Sequence, residues 1–283
     1  MKNYVSKSLY ACSGLTGRLK SKICPACGSK EARSIARKVF HTFSQCSVCG
    51  LAFRYPVEDA TQMLAFYQED YEQSGLTTDL PDIAALNQLK ENNFKGSSKD
   101  FSDAISFFGI LGLASEARIL DFGANWGYAS YQFRQAGYQT DAFEVSQPRA
   151  AFGQRLGIDI KTRLEDVSGP FDACFSSHVL EHVPNPLDSL RTQMALTKTG
   201  GFVLGVTPNG SLHRLANEAR GYNRNWGRVH PVLLTETFIA YVAGERPYYV
   251  GSGDRFPTAL NWGMTSACID DMRGSILYFV IAC

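Results

Sequence analysis

One segment, RILDFGANWGYAS from Arg118 to Ser130, constrains the fold of this chain more than any other. It starts as an apolar run typical of a buried β-strand, reaches an acid at Asp121, and then turns through glycines into a helix-like stretch. Glycine accepts the backbone geometry of a tight turn, and a helix presents unpaired N–H groups at its start. The segment therefore predicts a strand, a turn and a helix around a nucleotide-shaped pocket.

The next predicted strand supplies a second acid. YQTDAFEVS, ending at Ser146, places Glu144 at the carboxyl end of that strand, 21 residues after Gly123. An acid in this position can accept both hydroxyls of a ribose. A dinucleotide-binding oxidoreductase would use the same crevice, but its G-x-G-x-x-G fingerprint needs a third glycine that the series Gly123, Asn125, Gly127 lacks. A glycine turn also occurs in α/β proteins that bind no nucleotide.

At this point the chain resembles the class I S-adenosylmethionine-dependent methyltransferases, in particular type 11 and type 12 members with an N-terminal zinc ribbon. DFGANWG is similar to their first motif, FDACFSSHVLEHVPNP (Phe171 to Pro186) to their fourth strand and following helix, and GGFVLGVTPN (Gly200 to Asn209) to their fifth strand. The resemblance covers residues 101–283. It implies an α/β fold with a Rossmann-like seven-stranded sheet and helices on both faces.

The resemblance also implies S-adenosyl-L-methionine as cofactor and a set of residues around it. These are Asp121, Gly123, Asn125, Gly127, Glu144, Leu164, Glu165, Ser177 and His178. Two positions depart from the family pattern. Asn125 stands where a third glycine is commoner, which is tolerable because Asn accepts left-handed geometry. Arg163 stands where many members carry an acid near the adenine, so those contacts would fall to Leu164, Glu165 and Asp166.

Outside the first motif, the sequence alternates between predicted strands and helices. Strands are expected near residues 118, 139, 159, 171 and 202, and a helix over Phe101 to Leu113. Consecutive βα units of this kind require parallel neighbours with right-handed crossovers. Two late apolar stretches, Pro247 to Gly253 and Ser275 to Cys283, suit a final strand pair.

A second motif lies near the N-terminus: Cys24 and Cys27, eighteen intervening residues, then Cys46 and Cys49. Two C-x-x-C turns can close a four-thiolate zinc site, which has no open position for water and is therefore structural. Disulfides fit poorly because Met1 to Ser21 shows no secretory signal, and a redox dithiol would occur once rather than twice.

Composition agrees with a cytoplasmic protein of several parts. The 283 residues exceed one typical domain, 45% are hydrophobic and 19% charged, and no apolar run approaches the length of a membrane span. The sequence suggests a basic segment and zinc ribbon at 1–54, a helical linker or lid at 55–100, and the cofactor-binding domain at 101–283. In the linker, MLAFYQEDYEQ is helix-like; it resembles the joining segment of zinc-ribbon methyltransferases of sugar and natural-product pathways, although a packing helix is the commoner explanation.

The net charge of +1 conceals an asymmetry, since residues 1–54 carry ten Lys or Arg and one acid, giving +9, and the rest of the chain carries −8. Such a basic segment fits a surface docked on the acidic domain, an anionic small substrate, or a nucleic acid. No aromatic base-stacking motif accompanies the basic residues, which makes nucleic acid the less favoured partner.

Three histidines are candidates for the base that deprotonates a methyl acceptor: His178 after the fourth strand, His182 four residues on, and His230 in GYNRNWGRVHP. His178 and His182 would share a helix face if that helix begins early. His230 lies where a class I fold builds its acceptor site, with Arg224, Trp226 and Arg228 available to shape an anionic or sugar-like pocket.

The predicted function is methyl transfer to a small molecule such as a sugar, a nucleotide-linked sugar or a related metabolite. Two alternatives remain open: an RNA-modifying methyltransferase that grips its substrate with the basic ribbon, and a non-catalytic scaffold that kept the fold. The sequence does not indicate which atom is methylated, and it leaves the oligomeric state open.

Overall fold

The computed structural model of the protein describes residues 22–56, 79–257, 260 and 262–283. Within these residues, twelve strands form two sheets. The strands are β1 (Ala32–Arg37), β2 (Thr42–Cys46), β3 (Ala52–Tyr55), β4 (Arg118–Phe122), β5 (Gln139–Phe143), β6 (Ile160–Lys161), β7 (Phe171–Ser177), β8 (Thr197–Pro208), β9 (Val232–Leu233), β10 (Tyr248–Gly253), β11 (Ala267–Ile269) and β12 (Ile276–Ala282).

The larger sheet has eight strands in the order β11-β10-β12-β8-β7-β4-β5-β6. The five strands from β8 to β6 are parallel, whereas β12 runs antiparallel to both of its neighbours. The order reverses between β4 and β7, so the carboxyl ends of β4, β5 and β7 meet at the topological switch point where open α/β sheets bind ligands.

Eight α-helices accompany the strands in the described part of the chain. They are α1 (Ile83–Glu91), α2 (Ser102–Ile110), α3 (Tyr128–Gln135), α4 (Gln147–Gly153), α5 (Pro186–Leu196), α6 (Leu212–Asn217), α7 (Ala219–Asn225) and α8 (Glu236–Ala243).

Helices cover both faces of the large sheet because its strands are apolar on both sides. In β7, Cys174 packs in a cluster with residues of α5 and α8, whereas the next residue, Phe175, packs with residues of α2 and α3. Successive strand side chains point to opposite faces, so these two clusters are the two hydrophobic cores of the sheet. Cys174 is fully buried.

The smaller sheet has the order β1-β2-β3-β9, and all of its pairings are antiparallel. Its first three strands carry the cysteine knuckles, but β9 comes from the loop region before α8. The second knuckle also contacts that helix, since Thr235, the N-cap of α8, donates from Oγ1 to the Gly50 carbonyl at 2.9 Å. Main-chain pairing therefore joins the ribbon to residues far along the chain.

The predicted α/β class is confirmed, and the strands expected near residues 118, 139, 159, 171 and 202 are β4 to β8. The final apolar pair forms β10 and β12. The structure adds one strand to the seven expected: β11 is short, lies at the sheet edge beside β10, and has no alternating apolar pattern that could reveal it. The helix-like stretch MLAFYQEDYEQ lies outside the described residues, and the proposed division at 54 and 100 stays a prediction.

Candidate active site

The turn between β4 and α3 forms one wall of the candidate site. Gly123, Asn125 and Gly127 all have positive φ, at 85°, 54° and 84°. Asn125 thus adopts the left-handed geometry that the sequence allowed for it. A Cβ on Gly123 would lie 2.3 Å from Cγ2 of Val179, so this position needs glycine for space as well as for its backbone angle. The turn therefore lies directly against the segment that follows β7.

Glu144 holds the same turn from the end of β5. Its two carboxylate oxygens accept hydrogen bonds from backbone N–H groups, Oε2 from Asn125 at 3.0 Å and Oε1 from Ser146 at 2.8 Å. Burial raises the pKa of Glu144, and these hydrogen bonds oppose the rise. Each oxygen retains a further lone pair, so the carboxylate can still accept hydroxyl groups from a ligand.

Asp121 lies beneath the turn, at the end of β4. Oδ2 of its carboxyl accepts a hydrogen bond from Ser130 Oγ at 2.6 Å, and the side chain is almost completely buried. Burial raises the pKa of Asp121 to about 7, while the bond from Ser130 lowers it and the charge of Glu144 raises it further. Two coupled acids therefore lie below the same glycine turn.

Past β7 the chain forms a series of turns before α5 begins at Pro186. His178 has a φ of 52°, a conformation uncommon for a residue other than glycine. Asn185 caps α5 by accepting from the backbone N–H groups of residues 187 and 188, and Pro186 occupies the first helical turn. The expectation that His178 and His182 share a helix face is wrong, because both precede this capped start.

Glu181 joins the histidines instead. Its carboxylate is fully buried and accepts from His178 Nδ1 at 3.0 Å through Oε1 and from Thr207 Oγ1 at 3.1 Å through Oε2. Burial would raise the pKa of Glu181, but the hydrogen bond from His178 and the nearby imidazoles lower it to about 2. Burial would lower the pKa of His178, and its contact with Glu181 reverses the direction and raises it. The His178 side chain remains half exposed.

His182 and His230 complete this group. Their ring centroids are 4.7 Å apart, and His182 Nε2 lies 4.0 Å from Glu181 Oε1. Each ring places Nδ1 against a backbone carbonyl, His182 at 2.9 Å from Val229 O and His230 at 2.6 Å from Asn225 O. Burial lowers the pKa of His182 to about 4. The structure thus brings together all three histidines predicted from the sequence, with Glu181 between them.

The structure also gives the positions of three other residues that the sequence predicted for the site: Ser177, Leu164 and Glu165. Ser177 is the last residue of β7 and is partly buried. Leu164 packs against the core cluster that contains Phe122 and Phe143 at the ends of β4 and β5. Glu165 is exposed and forms an ion pair with Arg163, the residue that departs from the family pattern.

In the loop before His230, the structure places Trp226 against the ribbon. Trp226 is buried and stacks on Phe43 of β2, with ring centroids 4.9 Å apart and an interplanar angle of 13°. Lys38 lies over the same indole, 4.1 Å from its centroid, and donates to the Trp226 carbonyl. Trp226 therefore packs in the core between the ribbon and this loop rather than lining an acceptor pocket.

The four cysteines of the ribbon come together in space. Their sulfur atoms all lie within 4.8 Å of one another, with Cys24 and Cys49 3.5 Å apart and Cys27 and Cys46 3.6 Å apart. Zn–S bonds of about 2.3 Å in a tetrahedron give sulfur separations of about 3.8 Å. The geometry of the cluster is compatible with a four-thiolate zinc site.

Comparison with known proteins gives the family. Residues 91–241 match the family model described as a methyltransferase domain. The match covers more than half of the chain, and the chain belongs to this methyltransferase family.

Similar proteins agree with this assignment. A ubiquinone biosynthesis O-methyltransferase of Caulobacter vibrioides is 32% identical over 147 residues, which cover 45% of this chain and 58% of that protein. An uncharacterized methyltransferase of Mycobacterium tuberculosis is 31% identical over 119 residues, or 36% of this chain and 46% of that protein. The chain spans about half the length of these curated relatives.

Among solved structures, magnesium protoporphyrin IX methyltransferase from Synechocystis PCC 6803, determined with bound S-adenosylmethionine, superposes with a TM-score of 0.51 and 11% sequence identity. The alignment covers 81% of this chain and 99% of that one, and it shows the class I methyltransferase fold. Of the helices in the described part of the chain, none is long and apolar enough to cross a membrane.

Sequence reasoning missed the central position of Glu181 in this group. A signal was present, because Glu181 is an acid inside the otherwise apolar and imidazole-rich run HVLEHV. A carboxylate in such a run is costly to bury unless partners surround it. Its second partner, Thr207, lies on β8, and only the sheet order brings that residue close.

Proposed function

We propose that the protein is an S-adenosylmethionine-dependent methyltransferase that acts on a hydroxyl group of a small molecule. One observation supports this proposal most directly. The glycine turn that Glu144 anchors lies beside the His178–Glu181 pair, because Gly123 contacts Val179. The glycine turn with Glu144 suits the binding of a nucleoside, and the His178–Glu181 pair suits the removal of a proton. The O-methyltransferase relatives support the choice of a hydroxyl acceptor.

In this proposal, residues at the carboxyl ends of β4 and β5 would hold the cofactor. Glu144 accepts from the ribose hydroxyls with the lone pairs that its two backbone bonds leave available. Asp121 and the turn residues Gly123, Asn125 and Gly127 would line the methionine side, opposite Ser177 at the end of β7 and His178 directly after it. Leu164 and Glu165 remain candidates for the adenine contacts.

His178 is the proposed general base. A hydrogen on Nδ1 is donated to Glu181 Oε1 at 3.0 Å, which leaves Nε2 to accept a proton. The carboxylate orients the ring and stabilises its protonated form. When bound, S-adenosylmethionine would supply an activated methyl group on a positively charged sulfur, with S-adenosylhomocysteine as the leaving group, and Nε2 of His178 would take the proton that the acceptor hydroxyl loses. His182 and His230, also predicted as bases, then orient the acceptor.

The proposed acceptor is a small anionic or sugar-like metabolite. The cysteine cluster is proposed to bind a structural Zn²⁺ through Cys24, Cys27, Cys46 and Cys49.

The test of the function is to incubate the protein with isotope-labelled S-adenosylmethionine and fractionated metabolite pools, and to identify labelled products by mass spectrometry. Calorimetry with S-adenosylhomocysteine tests the cofactor separately. Absence of cofactor binding would contradict the proposal and favour a scaffold.

A substitution of His178 separates the base from a residue that only lines the cofactor. His178→Asn keeps a side chain that tolerates positive φ, and we expect kcat to fall by about 10² to 10⁴-fold because a general base is lost. Cofactor affinity should stay within about twofold. The matched control is His213→Asn on α6, where the histidine is exposed. A large loss of cofactor affinity with little change in kcat would assign His178 to the cofactor pocket instead.

A further inference from the structure

We propose that Glu181, His182 and His230 form a binding site for a divalent transition-metal ion, separate from the cysteine cluster. One ligand atom from each residue lies within 4.8 Å of the others. Two imidazoles and one carboxylate form a donor set that suits Zn²⁺, Mn²⁺, Fe²⁺ or Co²⁺ and that leaves positions open for a substrate.

The orientation of both rings supports this proposal. The Val229 and Asn225 carbonyls that face Nδ1 of His182 and His230 can only accept, so in each ring Nδ1 carries the hydrogen and Nε2 carries the lone pair. Histidines that bind metals are held by this same outer contact, which fixes the tautomer and aims the other nitrogen at the ion. Two backbone segments thus orient the rings independently.

The distances favour an intervening ion over a hydrogen bond. His182 Nε2 and Glu181 Oε1 are 4.0 Å apart, which is beyond hydrogen-bond range. Two ligands with bonds of about 2.1 Å to one metal lie about 3 to 4.2 Å apart, depending on the angle between them. The limit of 4.8 Å for the full set exceeds this range slightly, and small side-chain rotations close the difference.

The surroundings of Glu181 also favour a bound metal ion. Its side chain is fully buried and hydrogen-bonds to the half-exposed His178 and to the neutral hydroxyl of Thr207, with His182 Nε2 at 4.0 Å. A buried carboxylate is stable only when paired or bound to a metal. A divalent ion would add positive charge on the His182 side of the carboxylate, while His178 and Thr207 hold it in position, as outer partners of metal ligands do.

The location of the site gives the ion a role that rests on the proposed function. Val179, next to His178, contacts the glycine turn, so the site lies close to the residues proposed to hold the cofactor. An acceptor bound through its hydroxyl oxygen becomes more acidic on the metal, and its proton passes to His178 Nε2 before the oxygen attacks. Acceptors with two neighbouring oxygens, such as vicinal diols or catechols, would bind best because both oxygens can reach the ion.

The test uses Mn²⁺ as probe, because soft thiolates of the cysteine cluster compete poorly for it. Electron paramagnetic resonance of free Mn²⁺, titrated with zinc-loaded protein and no methyl donor, should show one bound ion per chain. Glu181→Gln and His230→Asn should each weaken binding at least tenfold, and His213→Asn should not change it. Circular dichroism verifies that each variant is folded, and His230 offers a loop substitution if Glu181→Gln does not fold.

Two results would overturn the site: no Mn²⁺ or Co²⁺ bound beyond the cysteine cluster, or bound ions that folded variants retain. Cofactor calorimetry on the same samples keeps the two proposals distinct. Normal S-adenosylhomocysteine binding with no Mn²⁺ site would reject the metal alone, whereas a Mn²⁺ site without cofactor binding would reject the methyltransferase proposal.

Discussion

At the scale of single residues, Glu144 connects the local structure of the turn with ligand binding. The carboxylate stabilises the strained turn through the Asn125 N–H and faces the proposed ribose position. Replacing Glu144 thus removes a ligand contact and an internal anchor together, and Gln isolates the charge because it keeps the shape of the side chain.

We expect Glu144→Gln to weaken S-adenosylhomocysteine binding by about 1.5 to 3 kcal/mol, the range for hydrogen bonds that involve a charged group. Titration calorimetry measures this, with the exposed Glu91→Gln on α1 as control. Unchanged affinity in a folded Glu144→Gln protein would remove Glu144 from the ribose site.

The second residue-scale prediction concerns Asp121, whose pKa burial raises from 3.8 to about 7. Between these values the folded state binds a proton that the unfolded state has lost, so stability falls as pH rises, by up to about 1.4 kcal/mol per pH unit. Asp121→Asn cannot ionise, so its stability relative to the wild type should increase from pH 4 to pH 7 and then level off.

Urea unfolding at several pH values, without cofactor, tests the Asp121 prediction, and the exposed Asp254→Asn is its control. A pH-independent difference between wild type and Asp121→Asn would show that the carboxyl is ionised throughout this range.

At the scale of elements, main-chain pairing, a hydrogen bond and core packing join the ribbon to β9 and α8. β3 pairs with β9, Thr235 bonds to Gly50, and three of the cysteines lie in the same core cluster as Phe238 and Ile239 of α8. A change at the cysteine cluster should consequently affect the fold beyond the ribbon.

Elemental analysis should find one zinc per chain in freshly purified, reduced protein, and Cys46→Ser should lose it while Cys268→Ser keeps it. If loss of the metal removes about 3 kcal/mol, the melting temperature falls by about 6 to 12 °C in a single transition, since about 2 to 4 °C accompany each kcal/mol at this size. Two separate transitions would mean that the ribbon unfolds independently.

At the scale of the whole molecule, local patterns predicted the parallel sheet, the glycine turn and the cysteine pairs, because strand periodicity and turn chemistry are properties of short segments. They did not predict β9 in the ribbon sheet or the meeting of Glu181 with His230, since these depend on contacts between distant segments. The early start of α5 that would have placed His178 and His182 on one helix face does not occur, because Asn185 caps the helix and Pro186 begins it.

The charge asymmetry is also a property of the whole molecule, and two groups of basic residues can be distinguished in the described part of the ribbon. Lys38 contacts Trp226, and Arg54 is buried, so these two belong to the junction between ribbon and sheet. Lys30, Arg33 and Arg37 are exposed on or near β1, where they could contact phosphates. Substitution of the exposed group therefore distinguishes a small acceptor from an RNA acceptor.

We expect weak RNA binding with a shallow salt dependence, because a small acceptor allows few phosphate contacts and charges are screened over about 8 Å at physiological ionic strength. A protein that neutralises several phosphates instead loses affinity steeply, with a slope of about one counterion per contact. The measurement is titration of tRNA and rRNA fragments across salt concentrations, for the wild type and for Lys30→Ala, Arg33→Ala and Arg37→Ala combined. Tight binding with a steep slope that the triple variant flattens would replace the small-molecule acceptor with RNA.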